Sequence, residues 1–148
     1  MVELNVPFLG AERSTWQYPF AELVQSGARL AFGSDWPVSS PNPLWGMHVA
    51  VNRTVFESYP YGTTERSLTD PLLPHQRLDM ETALTAYTRG SAFVNHLDQE
   101  TGSIEEGKAA DLVVLDQNLF EVDSSDIAEV KVLLTLIDGR PVFESSDL

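Results

Sequence analysis

Few side chains in this 148-residue chain could do chemistry, and the most suggestive stands in the stretch LAFGSDWPVSSPNP, residues 30–43. An apolar run stops there at Asp35, and a Trp and three prolines follow. An acid that ends an apolar run is the residue whose position most needs explaining, since a carboxylate can take up and return a proton. An Asp before X-Pro is also a common loop residue that caps nearby amides, and both readings stay open at this point. Trp36 and Trp45 could wall a substrate pocket beside it, or simply pack. The three histidines, His48, His75 and His96, form no His-x-His or His-x-x-x-His pair that could chelate a metal locally. His48 differs from the other two in falling on the helix expected after the Asp35 loop, which makes it, with Trp36, a candidate substrate contact. Gly107-Lys108 lacks the upstream glycine and the following Ser or Thr of a phosphate loop, and reads as a turn.

The elements that must position these residues follow from hydrophobic period and turn chemistry. Phe20, Leu23 and Val24 share one face of a helix expected over 16–26, stopped by Gly27. Arg29 to Gly33 then reads as a short strand, apolar without alternation and therefore buried on both faces, as in parallel sheets and barrels. Trp36-Pro37, Ser40-Pro41 and Asn42-Pro43 each push the residue before proline out of the helical region, so the chain leaves the strand as a loop. Asn42 suits an N-cap with Pro43 in the first turn, and Leu44, Met47, His48 and Val51 share a face of the next helix, which ends near Thr54. Residues 57–77, with Tyr59-Pro60, Asp70-Pro71 and Leu73-Pro74, read as a long irregular loop. Asp79 caps a helix carrying Met80, Ala83, Leu84 and Tyr87, and a second short helix runs from Ser91 to about His96. Beyond Gly102 the pattern turns to strands: one over Ala110–Leu115, then a hairpin from Val130 to Phe143 around Asp138-Gly139, a pair suited to a type I′ turn.

Composition narrows the function classes. With 43% hydrophobic residues the chain can build a folded domain, which at this size buries about 70% of its unfolded surface. The formal charge is −13, and Lys108 and Lys131 are the only lysines, so nothing replaces counterions along a phosphate backbone. Nucleic acid and anionic membrane are excluded as partners on that ground. The absence of cysteine rules out disulfides, thiolate metal sites and a Cys nucleophile. No run approaches the roughly 20 apolar residues of a membrane span, and the start lacks a secretory pattern, so a cytoplasmic protein is expected.

Three separated stretches then carry a resemblance. ERSTWQYPFAELVQSGARLAFGSDWPVSSPNPLWGMHVAVNRT, METALTAYTRGSA and GSIEEGKAADLVVLD, the last followed by VKVLLTLIDGRPVFE, resemble in order and spacing the C-terminal portion of the amidohydrolase superfamily. The branch is that of amidohydrolase family 3, whose members are similar to N-substituted formamide deformylase. The resemblance implies an α/β fold: the C-terminal fragment of a metal-dependent hydrolase (β/α)8 barrel, followed by strands of a small composite β-sandwich. Residues 1–97 would be the barrel-derived segment with its last helix–strand–helix units, and 98–148 the β segment.

By the same resemblance, Arg29–Gly33 is the eighth barrel strand, and Asp35 the acid at its end, both metal ligand and proton acceptor in hydrolysis of amide or other C–N bonds. A divalent metal, zinc, is implied for the full-length family. Its His-x-His, the bridging Lys or Glu and two later histidines would all precede Met1, so the expectation is an incomplete metal site and no metal retained by this chain alone. One strand cannot close an eight-stranded barrel, which predicts a homo-oligomer or a complementing chain as partner, besides a small-molecule amide-type substrate. The competing readings are a non-catalytic oligomeric binding or assembly module, and a new metal site built from Asp35 and His48 at an interface between copies.

Overall fold

A computed structural model describes residues 2–60 and 62–147. The chain opens with α1 (Val2–Ser14), two helical stretches joined at Gly10, whose φ of 75° and ψ of 168° break the helix. The next helix, α2 (Phe20–Gln25), is shorter than its apolar period suggests. Tyr18 sits at a φ of 53° and Pro19 has no amide proton, so the helical run cannot begin before them. At its end Gly27 takes a φ of 86° and the Ala28 amide donates to the Leu23 carbonyl at 3.0 Å, the glycine stop that the sequence implies.

Residues 28–34 run on without strand pairing, which corrects the expectation of a barrel strand over Arg29–Gly33 buried on both faces. Leu30 and Phe32 are half-buried while Arg29, Ala31 and Gly33 are exposed, so the segment covers one face only. The reason is that no second strand of the described chain lies beside it, and a ladder needs two. A helix holds it instead. The chain from Asp79 forms α5 (Met80–Thr85), a single π turn (Ala86–Gly90) and α6 (Ser91–Val94) as one continuous rod. The Phe32 amide donates to the Ala86 carbonyl at 3.0 Å, and the Ser91 hydroxyl donates to the Phe32 carbonyl at 2.7 Å. The π turn re-aims a carbonyl of the helix at a neighbouring chain. Gly90 permits the approach, since a Cβ built on it would lie 2.0 Å from the Leu30 carbonyl oxygen.

The helix after the Asp35 loop forms as expected. The Asn42 side chain accepts from the Leu44 amide at 3.0 Å, Pro43 opens α3 (Pro43–Asn52), and Arg53, at a φ of 61°, ends it. Leu44, Met47, His48 and Ala50 form its buried face. Residues 57–77 are less irregular than their prolines suggest. They contain α4 (Glu65–Thr69), started by a reciprocal cap between Thr64 and Ser67, and a 3₁₀ turn (Pro74–Gln76). Gln76 is wholly buried there, and its Oε1 accepts from the Ala21 and Glu22 amides, two donors in the first turn of α2 that the helix itself cannot satisfy.

The C-terminal third is a three-stranded antiparallel sheet in the order β1 (Leu112–Leu115), β2 (Val132–Ile137), β3 (Arg140–Glu144). Asp138 and Gly139 both take positive φ, 50° and 74°, as the I′ hairpin requires. The expected strand over Ala110–Leu115 thus begins two residues later. A 3₁₀ helix (Ser124–Glu129) links β1 to β2 and packs on α3, bringing Leu119, Ile127 and Val130 into the core with Leu44, Met47, Ala50, Leu78 and Ala83.

The Gly90 contact can be weighed against Gly33, where an added Cβ would meet open space. Gly90→Ala is expected to cost about 1–3 kcal/mol or more, as overpacking does. Gly33→Ala should stay within about 0.5 kcal/mol. Urea midpoints of the two variants check this, and equal midpoints would remove the close approach from the account.

Candidate functional site

The loop that follows the extended segment fixes Asp35 before any chemistry is considered. Asp35 has a φ of 52°, in the left-handed region that Asp enters more readily than most residues. Its carbonyl accepts from the Val38 amide at 2.8 Å, the Trp36 amide donates to the Ser34 hydroxyl at 3.2 Å, and the Ser39 hydroxyl donates to the Ser34 carbonyl. These bonds tie the backbone on both sides of the acid into a tight turn. Asp35 itself is exposed. An exposed side chain on an unusual, over-determined backbone is a feature that functional residues share.

Trp36 is two-thirds exposed and leaves the surface beside Asp35. Trp45 turns the other way: its ring packs on Phe56 and Tyr59, at centroid distances of 5.1 and 6.3 Å. Together with Ser34, Ser39, Ser40, Gly46, Val49, Tyr59 and Tyr87 it lines a cleft of about 170 Å³ behind the loop. Tyr87 closes that cleft over Gly46, where a Cβ would fall 1.8 Å from the tyrosine oxygen, and burial holds its hydroxyl above the ordinary phenol pKa. Asp35 does not line this cleft. A wider hollow of about 240 Å³, bordered by Val24, Arg29, Leu30 and Glu81, opens at the far end of the extended segment.

His48 is 3% exposed and sits edge-on to Phe56 at 5.2 Å. Neither ring nitrogen has a hydrogen-bond partner among the described residues. Burial pushes its pKa below the ordinary imidazole value, while the backbone at Val55, without reaching hydrogen-bond geometry, and the Glu129 carboxylate pull weakly the other way. His48 thus belongs to the buried face of α3, with Phe56 against its ring. His75 and His96 are exposed.

The metal implied by resemblance can be tested against these positions. Among the described residues no three His, Asp or Glu side chains come together as a metal-binding group. Asp35 offers one exposed carboxylate and joins no such group, so the described residues do not by themselves make up a three-ligand metal site. Among the described residues no helix is long and apolar enough to cross a membrane.

One residue that sequence reasoning passed over holds this region together. Arg53, 8% exposed at the end of α3, donates from Nε to the Leu72 carbonyl at 2.8 Å, and from its terminal nitrogens to the Tyr18 and Gln17 carbonyls at 3.4 Å. The signal available was its place just past an apolar helix face, where an unpaired charge must find partners.

Residues 2–143 match the model of a family described as an amidohydrolase family. The chain is 34% identical over 136 residues to Protein LONG AFTER FAR-RED 3 of Arabidopsis thaliana, covering 91% of this chain and 21% of that protein. It is 31% identical over 122 residues to N-substituted formamide deformylase of Arthrobacter pascens, covering 82% of this chain and 20% of the relative. Among solved structures, an uncharacterized metal-dependent hydrolase from Pyrococcus horikoshii OT3 superposes with a TM-score of 0.62 at 32% identity, covering 78% of this chain and 22% of that one. The chain spans about a fifth of the length of the relatives it matches.

The buried imidazole makes stability depend on acid. Above about pH 6.5 His48 is neutral in both folded and unfolded chains and contributes no pH dependence. As pH falls through that value, the unfolded chain takes up a proton that the native core resists, so stability drops until the lowered native pKa is passed. His48→Phe is expected to remove this component of the melting temperature measured from pH 7.5 to pH 5. An unchanged pH profile in the variant would show that other groups carry it.

Proposed function

The chain belongs to the amidohydrolase family, and from that premise we propose that it is the C-terminal portion of a metal-dependent hydrolase of amide and related C–N bonds in a small-molecule substrate. Residues 1–97 would form the last helix–strand–helix units of its barrel, and 98–148 its share of a composite β-sandwich. The observation that carries the reading is Asp35: an exposed acid, held on a left-handed backbone at the end of an apolar extended segment, within a matched family region. Its carboxylate takes a proton from the water that attacks the amide carbon and returns it to the nitrogen as the C–N bond breaks. One group thereby serves both halves of the hydrolysis, leaving an acid and an amine. Trp36 beside it supplies an apolar surface against which a substrate group can lie.

The chain's own residues do not amount to a metal site, so metal chemistry in this reading depends on ligands supplied from outside it. Zinc is the metal proposed, and an assembly with further barrel strands is the form in which the enzyme would act. The relative named N-substituted formamide deformylase makes formamides a reasonable first substrate class. A second reading, a non-catalytic oligomeric binding or assembly module, is favoured by the absence of a three-ligand group among the described residues.

Two measurements separate these readings. The zinc-to-protein ratio of the purified chain after dialysis against trace zinc should be near zero, and a ratio near one would contradict the dependence on outside ligands. In an enzyme assembled with the missing strands, Asp35→Asn should lower amine release from N-substituted formamides and simple amides by about 10²–10⁴-fold. Unchanged turnover in that variant would remove Asp35 from the mechanism. An assembly that turns over nothing with the native residue in place would favour the binding module.

A further inference from the structure

The cleft behind the Asp35 loop has a lining that the hydrolytic reading leaves unused. Its volume of about 170 Å³ is close to the ~150 Å³ that holds one benzene ring in a protein interior. No charged side chain lines it. Three aromatic side chains do, Trp45, Tyr59 and Tyr87, all of them half-buried. Trp45 packs on Phe56 and Tyr59, while Tyr87 packs on Phe32 at 5.5 Å and leans over Gly46, so the walls are set without a ligand.

The polar atoms of the lining side chains are hydroxyls, and the bonds they already make fix what they can offer. The Ser39 hydroxyl spends its hydrogen on the Ser34 carbonyl and keeps only lone pairs. The Ser34 and Ser40 hydroxyls accept from the Trp36 and Asn42 amides, each at 3.2 Å, and each oxygen retains a further lone pair. The Tyr87 hydroxyl has no partner among the described residues, and burial keeps it a neutral phenol by holding its pKa up. An anion finds no cation here, with the Asp35 carboxylate one residue from Ser34 and a net charge of −13 on the chain. A cation finds lone pairs, aromatic surface and a negative field.

We infer that this cleft is a binding site for a small organic ammonium ion, with its charge among the Ser39, Ser40 and Tyr87 oxygens and its hydrocarbon part against Trp45 and Tyr59. The inference rests on the proposed hydrolysis and adds to it. Cleavage of an amide by water leaves, at neutral pH, a carboxylate and a protonated amine, and the cleft holds the second of these. Asp35 does not line the cleft, so the amine is kept behind the loop rather than against the acid that released it.

Three molecules that share one ring and differ in charge test this: cyclohexylammonium, cyclohexanol and cyclohexanecarboxylate. Each is titrated into the 148-residue chain at neutral pH, in molar potassium chloride to screen diffuse attraction to the acidic chain, and followed by nuclear magnetic resonance. Cyclohexylammonium should saturate, with shifts centred on the Ser34, Ser39 and Gly46 amides and the Trp45 indole. It should bind about tenfold more tightly than cyclohexanol, the factor expected from a desolvated cation–π contact. Cyclohexanecarboxylate should leave these signals in place. Tyr87→Phe keeps the ring and should weaken ammonium binding about tenfold, as loss of a hydrogen bond to a charged group does, while circular dichroism stays that of the native chain. Trp45→Leu, checked for folding in the same way, should weaken it as well. The inference is overturned if the ammonium does not bind, if its shifts scatter over acidic residues away from the cleft, if cyclohexanol binds as tightly, or if the carboxylate binds instead. Equal affinity in the native chain and both variants overturns it too. The titration needs no turnover, so failure of the catalytic reading is seen separately, as amine release by the assembled enzyme that ignores Asp35→Asn.

Discussion

A single extended segment without a sheet must still satisfy its backbone, and the fold is arranged around that requirement. The bond from Phe32 to Ala86 does it with a helix, which ordinarily has no carbonyl to spare in mid-course. The Ala86 carbonyl that opens the π turn accepts the Phe32 amide, the Ser91 hydroxyl at its end donates to the Phe32 carbonyl, and a glycine lets the two backbones approach. Phe32 is then carried against Phe20 and Tyr87, at 5.4 and 5.5 Å between rings, which fixes where the segment lies relative to α2. Because Asp35 follows three residues later through a turn closed by its own hydrogen bonds, its position is inherited from this seat. The candidate catalytic group is on a loop, but its placement is decided in a helix more than fifty residues along the chain.

The interior polar groups show three solutions to one problem. Gln76 spends its carbonyl on two amides at the start of α2, so a side chain serves as the missing turn of a helix. Arg53 uses its planar fork on carbonyls from separate stretches of chain. His48 takes neither course: burial pushes its pKa down, and it has aromatic contact in place of hydrogen bonds. The first two fasten irregular segments to helices by direct bonds, while the third tolerates burial only in its neutral form.

What could be read in the sequence was local chemistry. The Asn42 and Asp79 caps, the Asp138-Gly139 turn and the buried face of α3 depend on neighbours a few residues away, and these appear where composition and spacing put them. The strand expected at Arg29–Gly33 depends on something sequence periodicity does not encode, namely whether another strand stands beside it. The helix within 57–77 was hidden by prolines that flank it, and its start rests on a Thr64–Ser67 cap in a polar stretch with no apolar period to announce it. At the candidate site, the abrupt end of an apolar run singled out Asp35 and Trp36, and the structure places both at exposed positions of one tight turn. His48 shares the apolar face of α3 that the spacing predicts to be buried, and it is buried there. The family relationship, by contrast, was carried by long stretches of sequence and survives comparison over residues 2–143.

The guanidinium clasp of Arg53 has a consequence for the medium in which this chain can work. Its partners are backbone carbonyls, which carry no net charge, and among the described residues it joins no ion pair. Dissolved ions therefore have little to compete for at the joint between α3, the 3₁₀ turn and the approach to α2. The net charge is the reverse: a formal charge of −13 makes the chain repel itself, and that repulsion weakens as ionic strength rises. The molecule thus separates its electrostatics into an interior joint indifferent to salt and an exterior that is relieved by it, a division of labour suited to concentrated electrolyte.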